Sequence, residues 1–332
     1  MLNMAKKKQK NKTSPVITII LILLAMLIAF SCFKIVDALF SPHKVEQTIS
    51  DSPSTIKYNG KEYYPRQDVT VIMLMGIDEY GPVKESVSYN NTGEADMVAL
   101  AVFDEKDKTY SVLVLNRDTM MEIPVLGLGG RTAGTAYEQL ALAHTYGTGL
   151  KDSCENTVTA VSNFMSGMTI DYYISMNMDA ISILNDAVGG VTVNVQDDFS
   201  EVDPTIKKGE VKLNGEQALS YVHTRKDVGN QMNISRMDRH KEYMENFVEA
   251  FKAKVKEDDM FTVDIYEEVA SYLVSDCSVN TLSSMLSRYS EFELRDIVTP
   301  KGENIMSEQY MEFHVDKESL QELVIDMFYT QI

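Results

Sequence analysis

The sequence predicts an α/β fold, a β-sheet covered by helices and preceded by one membrane-spanning helix. Three observations carry this. Between Val71 and Asp118, the runs VIMLMGID, ADMVALAVFD and YSVLVLN are near-continuously apolar rather than alternating. That is the pattern of strands buried on both faces. Farther on, IDYYISMN, a helically spaced segment from Met178 to Ala187, the pair Gly189-Gly190 and then VTVNV give the order strand, helix, break, strand. This order resembles a βαβ unit. Finally, Val16 to Phe33 is a stretch of 18 residues without a charge, near the length of a helix that crosses a hydrocarbon core.

In chain order, residues 1–14 hold five lysines and no acid and read as a cytoplasmic basic tail. The anchor follows at 15–36, and lysines just before it place the body outside the cell membrane by the positive-inside rule. A cleaved signal peptide fits less well, because the apolar run is long and lacks a small-residue cleavage site. Cys32 follows Ala29-Phe30-Ser31, a poor lipidation box. Residues 37–69 read as a polar stalk with two Ser-Pro steps and a turn at Asn59-Gly60. The main domain is expected at 70–250. Its first strands are centred on Val71–Leu74, Met97–Phe103 and Tyr110–Leu115, the last two joined as a hairpin across Asp104–Lys108. Glu138–Tyr146 and Cys154–Met165 read as helices. LNGEQALSYV is a short helix with Asn214 as N-cap, delivering His223-Thr224-Arg225-Lys226 to its end. After a polar loop, SRMDRHKEYMENFVEAFKAKV is a long helix. Residues 251–332, with SVNTLSSMLSRY and ESLQELVIDMFY, read as a helical extension packed on or beside the domain.

Charge excludes one class of partner. The formal charge is −18, and removing the five positive charges of the tail leaves −23 on the remainder. A body this acidic is poorly suited to nucleic acid, whose binding depends on neutralising phosphates with Lys and Arg. A transcription regulator therefore fits badly. An anionic substrate would need a local basic cluster or a metal ion. The chain has eight arginines, and Arg117, Arg131, Arg225, Arg236 and Arg239 lie in polar segments at the ends of patterned elements. Cys154 and Cys277 could pair outside the cell or remain free thiols.

The strand ends carry the candidate chemistry. Asp78 and Asp96 each sit at an end of an apolar run, Asp78 at its close and Asp96 near its head, and paired carboxylates with substrate phosphates are a usual magnesium arrangement. Two solvated turn aspartates are the plainer alternative. Arg117-Asp118 follows the third run directly. An arginine there suits phosphate or a structural pair with an acid, and Asp118 could serve as base for an incoming hydroxyl. Arg225, Arg236 and Arg239, with His240, form a second basic group. Arg236, Arg239 and His240 share a face of the long helix's first turns, where the helix terminus already favours anions. His144 and His223 could be ligands, although a lone histidine more often has a structural or surface role. No P-loop, GxGxxG, GxSxG or CxxC is present, and LGLGG at 126–130 is too loose for a phosphate cradle.

Taken together, LMGID, GEADMVALAVFD, VLNRDT, EQLALAHTYG, IDYYISMNMDAISILNDAVGGVTV, LNGEQALSYVHTRK and SRMDRH occur in this order over about residues 70–245. This resembles the LytR-CpsA-Psr (LCP) family of cell-wall enzymes. The resemblance implies an α/β/α sandwich with a central mixed β-sheet and a lipid tail held between sheet and helices. It implies a membrane-anchored phosphotransferase. Such an enzyme moves an anionic glycopolymer, teichoic acid or capsular polysaccharide, from a polyprenyl-pyrophosphate carrier onto peptidoglycan. Asp78 and Asp96 resemble the Mg2+ ligands of that family, and Arg117 its phosphate-binding arginine with Asp118 beside it. Arg225 resembles the second arginine of a YVRxR-type motif. Arg236, Arg239 and His240 fall where the family has further arginines and a glutamine. Three positions depart from the family pattern. Glu94-Ala95-Asp96 stands where Arg-Ser-Asp is common, His223 stands at the first arginine of YVRxR, and His240 replaces the glutamine. Related readings are a polyprenyl-pyrophosphate phosphohydrolase and a non-catalytic lipid-glycan binding protein.

Overall fold

A computed structural model describes residues 55–331, apart from 128, 225–227, 229–232, 259–260, 279–280, 282–283, 286–287 and 290–291. The expected cytoplasmic tail and membrane anchor lie outside these residues. Among the described residues, no helix is long and apolar enough to cross a membrane.

Strands β1 (Ile56–Tyr58) and β2 (Lys61–Pro65) form a hairpin. Its two-residue turn, Asn59-Gly60, has both φ angles positive, as the twist of tight hairpins requires. The hairpin is not part of a free stalk. β2 also pairs with a C-terminal strand, and Tyr63 packs against the core. The polar composition of this stretch reflects its exposed outer face.

The centre of the molecule begins with β3 (Val69–Ile77), β4 (Ala95–Asp104) and β5 (Thr109–Leu115), which pair antiparallel in sequence, including the expected β4–β5 hairpin. Next comes an antiparallel ribbon of β6 (Met120–Leu126) and β7 (Thr132–Gln139). The helix expected at Glu138–Tyr146 is therefore corrected. Glu138 and Gln139 end a strand, and only Leu140–Thr145 coils, as a 3-10 turn. Leu140, Ala141, Ala143 and His144 are all buried, so the run is a compact plug without the polar face of a surface helix.

Helix α1 (Lys151–Phe164) leads to β8 (Tyr172–Asn177), which joins the sheet parallel to β3. Helix α2 (Asp179–Ala187) ends at Gly189 and Gly190, both at positive φ. The following β9 (Val191–Val195) does not return to the sheet, which corrects the βαβ reading. It pairs antiparallel with β10 (Gly209–Leu213) in a separate ribbon. The alternation Val-Thr-Val-Asn-Val explains this. Its three valines are buried while Thr192 and Asn194 are exposed, which suits a strand with one wet face and not a central parallel strand. Helix α3 (Gly215–His223) starts with a full capping box between Asn214 and Gln217. Helices α4 (Asn233–Glu257) and α5 (Phe261–Val269) follow.

The C-terminal segment is not only a helical extension. It supplies β11 (Leu273–Ser275) and β12 (Glu293–Val298), the two edges of the central sheet. The β13 (Gly302–Met306) and β14 (Met311–Val315) hairpin, α6 (Lys317–Phe328) and β15 (Tyr329–Gln331), the partner of β2, complete the chain. Both edge strands are short or half exposed and carry polar residues, so neither announces itself as a buried strand.

The resulting six-stranded sheet has the order β11-β8-β3-β4-β5-β12 and is mixed. Successive residues of β3 face opposite layers. Val71, Met73, Met75 and Ile77 pack with Val158 and Val161 of α1 and with Val324 and Met327 of α6. Ile72 and Leu74 pack with Leu184 of α2, Tyr221 of α3 and Phe247 of α4. Helices therefore cover both faces. Cys154 belongs to the first layer and Cys277 to the second, so the sheet separates them and both are free thiols. Burial pushes each up to about 12.

Candidate functional site

The site forms where β3, β4 and β5 end side by side. Asp78 directly follows β3, and its backbone N–H donates to the Glu94 carbonyl (2.8 Å). Asp96 is the second residue of β4. The pairing runs Gly76↔Met97 and then Ile77↔Ala95, so Asp96 is the extra residue of a bulge. Bulges bend a strand locally and re-aim a side chain, here toward the strand ends. Arg117 follows β5 after Asn116. Its guanidinium pairs with both Glu94 and Asp96, and its Nε lies 3.5 Å from Asp118 Oδ1. Behind it, Asp118 is 3% exposed and accepts from Gln139 Nε2 (3.1 Å).

The helical layer brings in one more group. His223, the last residue of α3, places Nε2 at 3.3 Å from Asp78 Oδ1. Ligand atoms of Asp78, Asp96 and His223 all lie within 4.8 Å of one another. A divalent ion fits this donor set: two carboxylates and an imidazole converge, and the Asp78 and His223 side chains are each about one-third exposed, leaving room for phosphate oxygens or water. His223 was read from sequence as structural or surface. Neighbouring carboxylates, which no local spacing reveals, change that reading.

Among the described residues, the site is electrostatically an acidic pole with one enclosed arginine. Arg117 pairs with Glu94, Asp96 and Asp118, and Asp78 lies near Asp96 and His223. The plainer sequence alternative, a structural Arg–Asp pair, is thus realised here. Among its three partners Glu94 is the most exposed, at 37% against 7% for Asp96 and 5% for Asp118. Glu94 is the partner that an incoming anion can displace at least cost.

The second basic group is corrected in part. Arg239 is not presented to a substrate. It is buried and donates from Nε to the Tyr221 carbonyl (2.9 Å), from Nη1 to Asp197 Oδ2 (2.6 Å) and from Nη2 to the Thr224 carbonyl. Its guanidinium carbon also lies 5.4 Å from the Phe199 ring centre. His240 Nε2 is 2.6 Å from the Val222 carbonyl. Both residues therefore hold the last turn of α3, whose carbonyls lack helical partners. This positions His223 and Thr224. Arg225 and the Arg236 side chain lie outside the described residues. Removing one partner of a buried ion pair leaves an uncompensated charge, so Arg239→Ala is expected to cost about 3–5 kcal/mol of stability. Urea unfolding of the variant checks this; a change under about 1 kcal/mol would assign the residue elsewhere.

The LytR_cpsA_psr family model matches residues 35–328. The chain belongs to the LytR_cpsA_psr family. It is 27% identical over 267 residues, 78% of each chain, to the polyisoprenyl-teichoic acid–peptidoglycan teichoic acid transferase TagU of Bacillus licheniformis. It is 32% identical over 185 residues to the corresponding transferase TagV of Bacillus subtilis, covering 54% of this chain and 42% of that one. A solved structure of TagT bound to LIIa-WTA superposes with a TM-score of 0.58 at 22% identity, over 79% of this chain and 90% of that one, which establishes a shared fold.

Within this LytR_cpsA_psr chain, one supporting residue, Gln139, was missed from sequence. Gln139 donates to Asp118 and also to the Met311 carbonyl (2.7 Å), tying the Arg117-Asp118 corner to the C-terminal hairpin. The mistaken helix at Glu138–Tyr146 concealed it. His144, expected to be structural, is so. Its Nδ1 lies 2.8 Å from the Gly93 carbonyl, and burial lowers its pKa. It braces the loop just before Glu94.

Proposed function

We propose that this chain is a membrane-anchored phosphotransferase, its body outside the cell, that moves an anionic glycopolymer from a polyprenyl-pyrophosphate carrier onto peptidoglycan. The observation that carries the reading is the convergence of Asp78, Asp96 and Arg117 at three neighbouring strand ends, in a chain of this family. The name of the TagU relative, 27% identical, supports the transfer of a teichoic-acid-type polymer.

Asp78 and Asp96 would hold Mg2+ or another divalent cation. When bound, the ion supplies neutralisation of charge on the pyrophosphate. Arg117 exchanges Glu94 for a phosphate oxygen while Asp96 and Asp118 keep its fork oriented. Sequence left Asp118 open as a base. Its burial behind Arg117 favours the orienting role. The family resemblance assigns Arg225 and Arg236, which lie outside the described residues, to anion binding as well, and Arg239 and His240 hold the end of α3. The family resemblance would place the lipid tail between sheet and helices. In-line phosphoryl transfer needs little covalent chemistry from the protein, so positioned charge is sufficient machinery.

The test uses the full chain in detergent with a polyprenyl-pyrophosphate-linked glycan, Mg2+ and peptidoglycan. A covalent polymer–wall product is expected. Release of glycan phosphate without peptidoglycan would indicate the phosphohydrolase instead. The engagement of Arg117 by Glu94 specifically favours a second reading, a non-catalytic lipid-glycan binder. Tight binding of the donor with no product of either kind would support that reading.

A further inference from the structure

The three ligand atoms at the acidic pole come from separate elements: the end of β3, the bulge of β4 and the last residue of α3. We propose that His223 is a third protein ligand beside Asp78 and Asp96, and that this imidazole–dicarboxylate set binds a first-row transition ion, Mn2+ or Zn2+, more tightly than Mg2+. The inference rests on the reading that a divalent cation occupies this pole, and it concerns which cation.

The spacing of the imidazole and the Asp78 carboxylate suits two ligands of one ion. A charge-assisted N–H···O bond has its heavy atoms about 2.7–2.9 Å apart. His223 Nε2 and Asp78 Oδ1 are 3.3 Å apart. Two ligands of a tetrahedral ion with bonds near 2.0–2.1 Å lie roughly 3.3 Å apart. The widest spacing in the set, up to 4.8 Å, is larger than that. The part-exposed Asp78 and His223 side chains can close it by rotation, whereas Asp96 is fixed by burial and by Arg117.

Chemistry then sets the preference. Magnesium takes oxygen ligands and keeps several waters. Imidazole is a borderline ligand that raises affinity for Zn2+ and other first-row ions above that for Mg2+. The other histidines of the described body are engaged elsewhere. His144 faces the Gly93 carbonyl, His240 the Val222 carbonyl and His314 the Glu312 carboxylate. Arg117 pairs with Glu94, Asp96 and Asp118, so it shares Asp96 with the ion, whereas the ion pair that Asp78 makes among the described residues is with His223.

The test loads the full chain, free of any affinity tag, with Mn2+ and records pulsed electron paramagnetic resonance. Titration calorimetry with Mn2+, Zn2+ and Mg2+ runs beside it, in wild type and in His223→Gln. A 14N coupling from a directly bound imidazole is expected in wild type and absent in His223→Gln. The Mn2+ and Zn2+ affinities should fall on the order of tenfold or more in the variant, with Mg2+ affinity nearly unchanged. Mn2+ bound by wild type without 14N coupling would overturn the proposal while leaving the cation reading of Asp78 and Asp96 standing. Coupling that persists in His223→Gln would also overturn it. Failure of all three ions to bind wild type, with or without inorganic pyrophosphate, would overturn the cation reading itself. The wild-type spectrum decides the ligand question even if the variant proves unstable.

Discussion

Arg117→Ala should lower polymer transfer by about 10³-fold or more, the loss associated with removing a positioned arginine from phosphoryl transfer. The residue is the fixed positive charge in contact with Glu94, Asp96 and Asp118 at the strand ends. Its planar fork can exchange one carboxylate for a phosphate without moving, because Asp96 and Asp118 hold the rest of it. Lysine cannot reproduce that fork, so Arg117→Lys should recover only a small part of the activity. The same geometry fixes the direction of the reciprocal change. Glu94→Gln removes the competing anion and should tighten binding of inorganic pyrophosphate by about tenfold, the worth of roughly one charge-assisted hydrogen bond. Single-turnover transfer assays and pyrophosphate titrations measure the two effects. Arg117→Ala with unchanged turnover would remove the residue from the site.

How far the sequence carried these assignments depends on where each residue's partners lie. Strands β3, β4 and β5 were legible because near-continuous apolar runs have one physical meaning, burial on both faces. Their charged ends could be named for the same reason, since an apolar run that stops at Asp or Arg marks where the chain meets water. The α3 cap was legible because Asn214 and Gln217 are three residues apart and act locally. β9 was misplaced because alternation was subordinated to the strand–helix–strand order. β11 and β12 were missed because short edge strands depend on distant partners, β8 and β5, for their identity. The site shows the same division. Asp78, Asp96 and Arg117 were named in advance, whereas His223 and Gln139 acquire roles only from side chains far away in sequence. Arg239 had the composition of an anion-binding residue. Only its burial against Asp197 and the carbonyls of Tyr221 and Thr224 shows that it is a brace.

Asp96→Asn is expected to be as damaging as loss of Arg117, about 10³-fold in transfer, because one carboxylate serves both halves of the site. It pairs with Arg117 and also lies among the cation ligands with Asp78 and His223. The asparagine keeps the shape and removes the charge, so the cation is held more weakly and the arginine loses its best-buried counter-charge at the cation side. Asp78→Asn acts on the cation side, since among the described residues Asp78 pairs with His223 and not with Arg117. Raising the divalent-ion concentration should therefore restore a substantial part of the Asp78→Asn activity and little of the Asp96→Asn activity. Coupling sharpens the distinction. Residues that share a network are not additive, so Asp96→Asn combined with Arg117→Ala should cost far less than the sum of the two single losses. Asp78→Asn combined with Arg117→Ala should come closer to that sum. If Asp96→Asn were rescued by the ion as fully as Asp78→Asn, the bulge that turns Asp96 toward Arg117 would be a structural detail, and the cation and arginine sites would act independently.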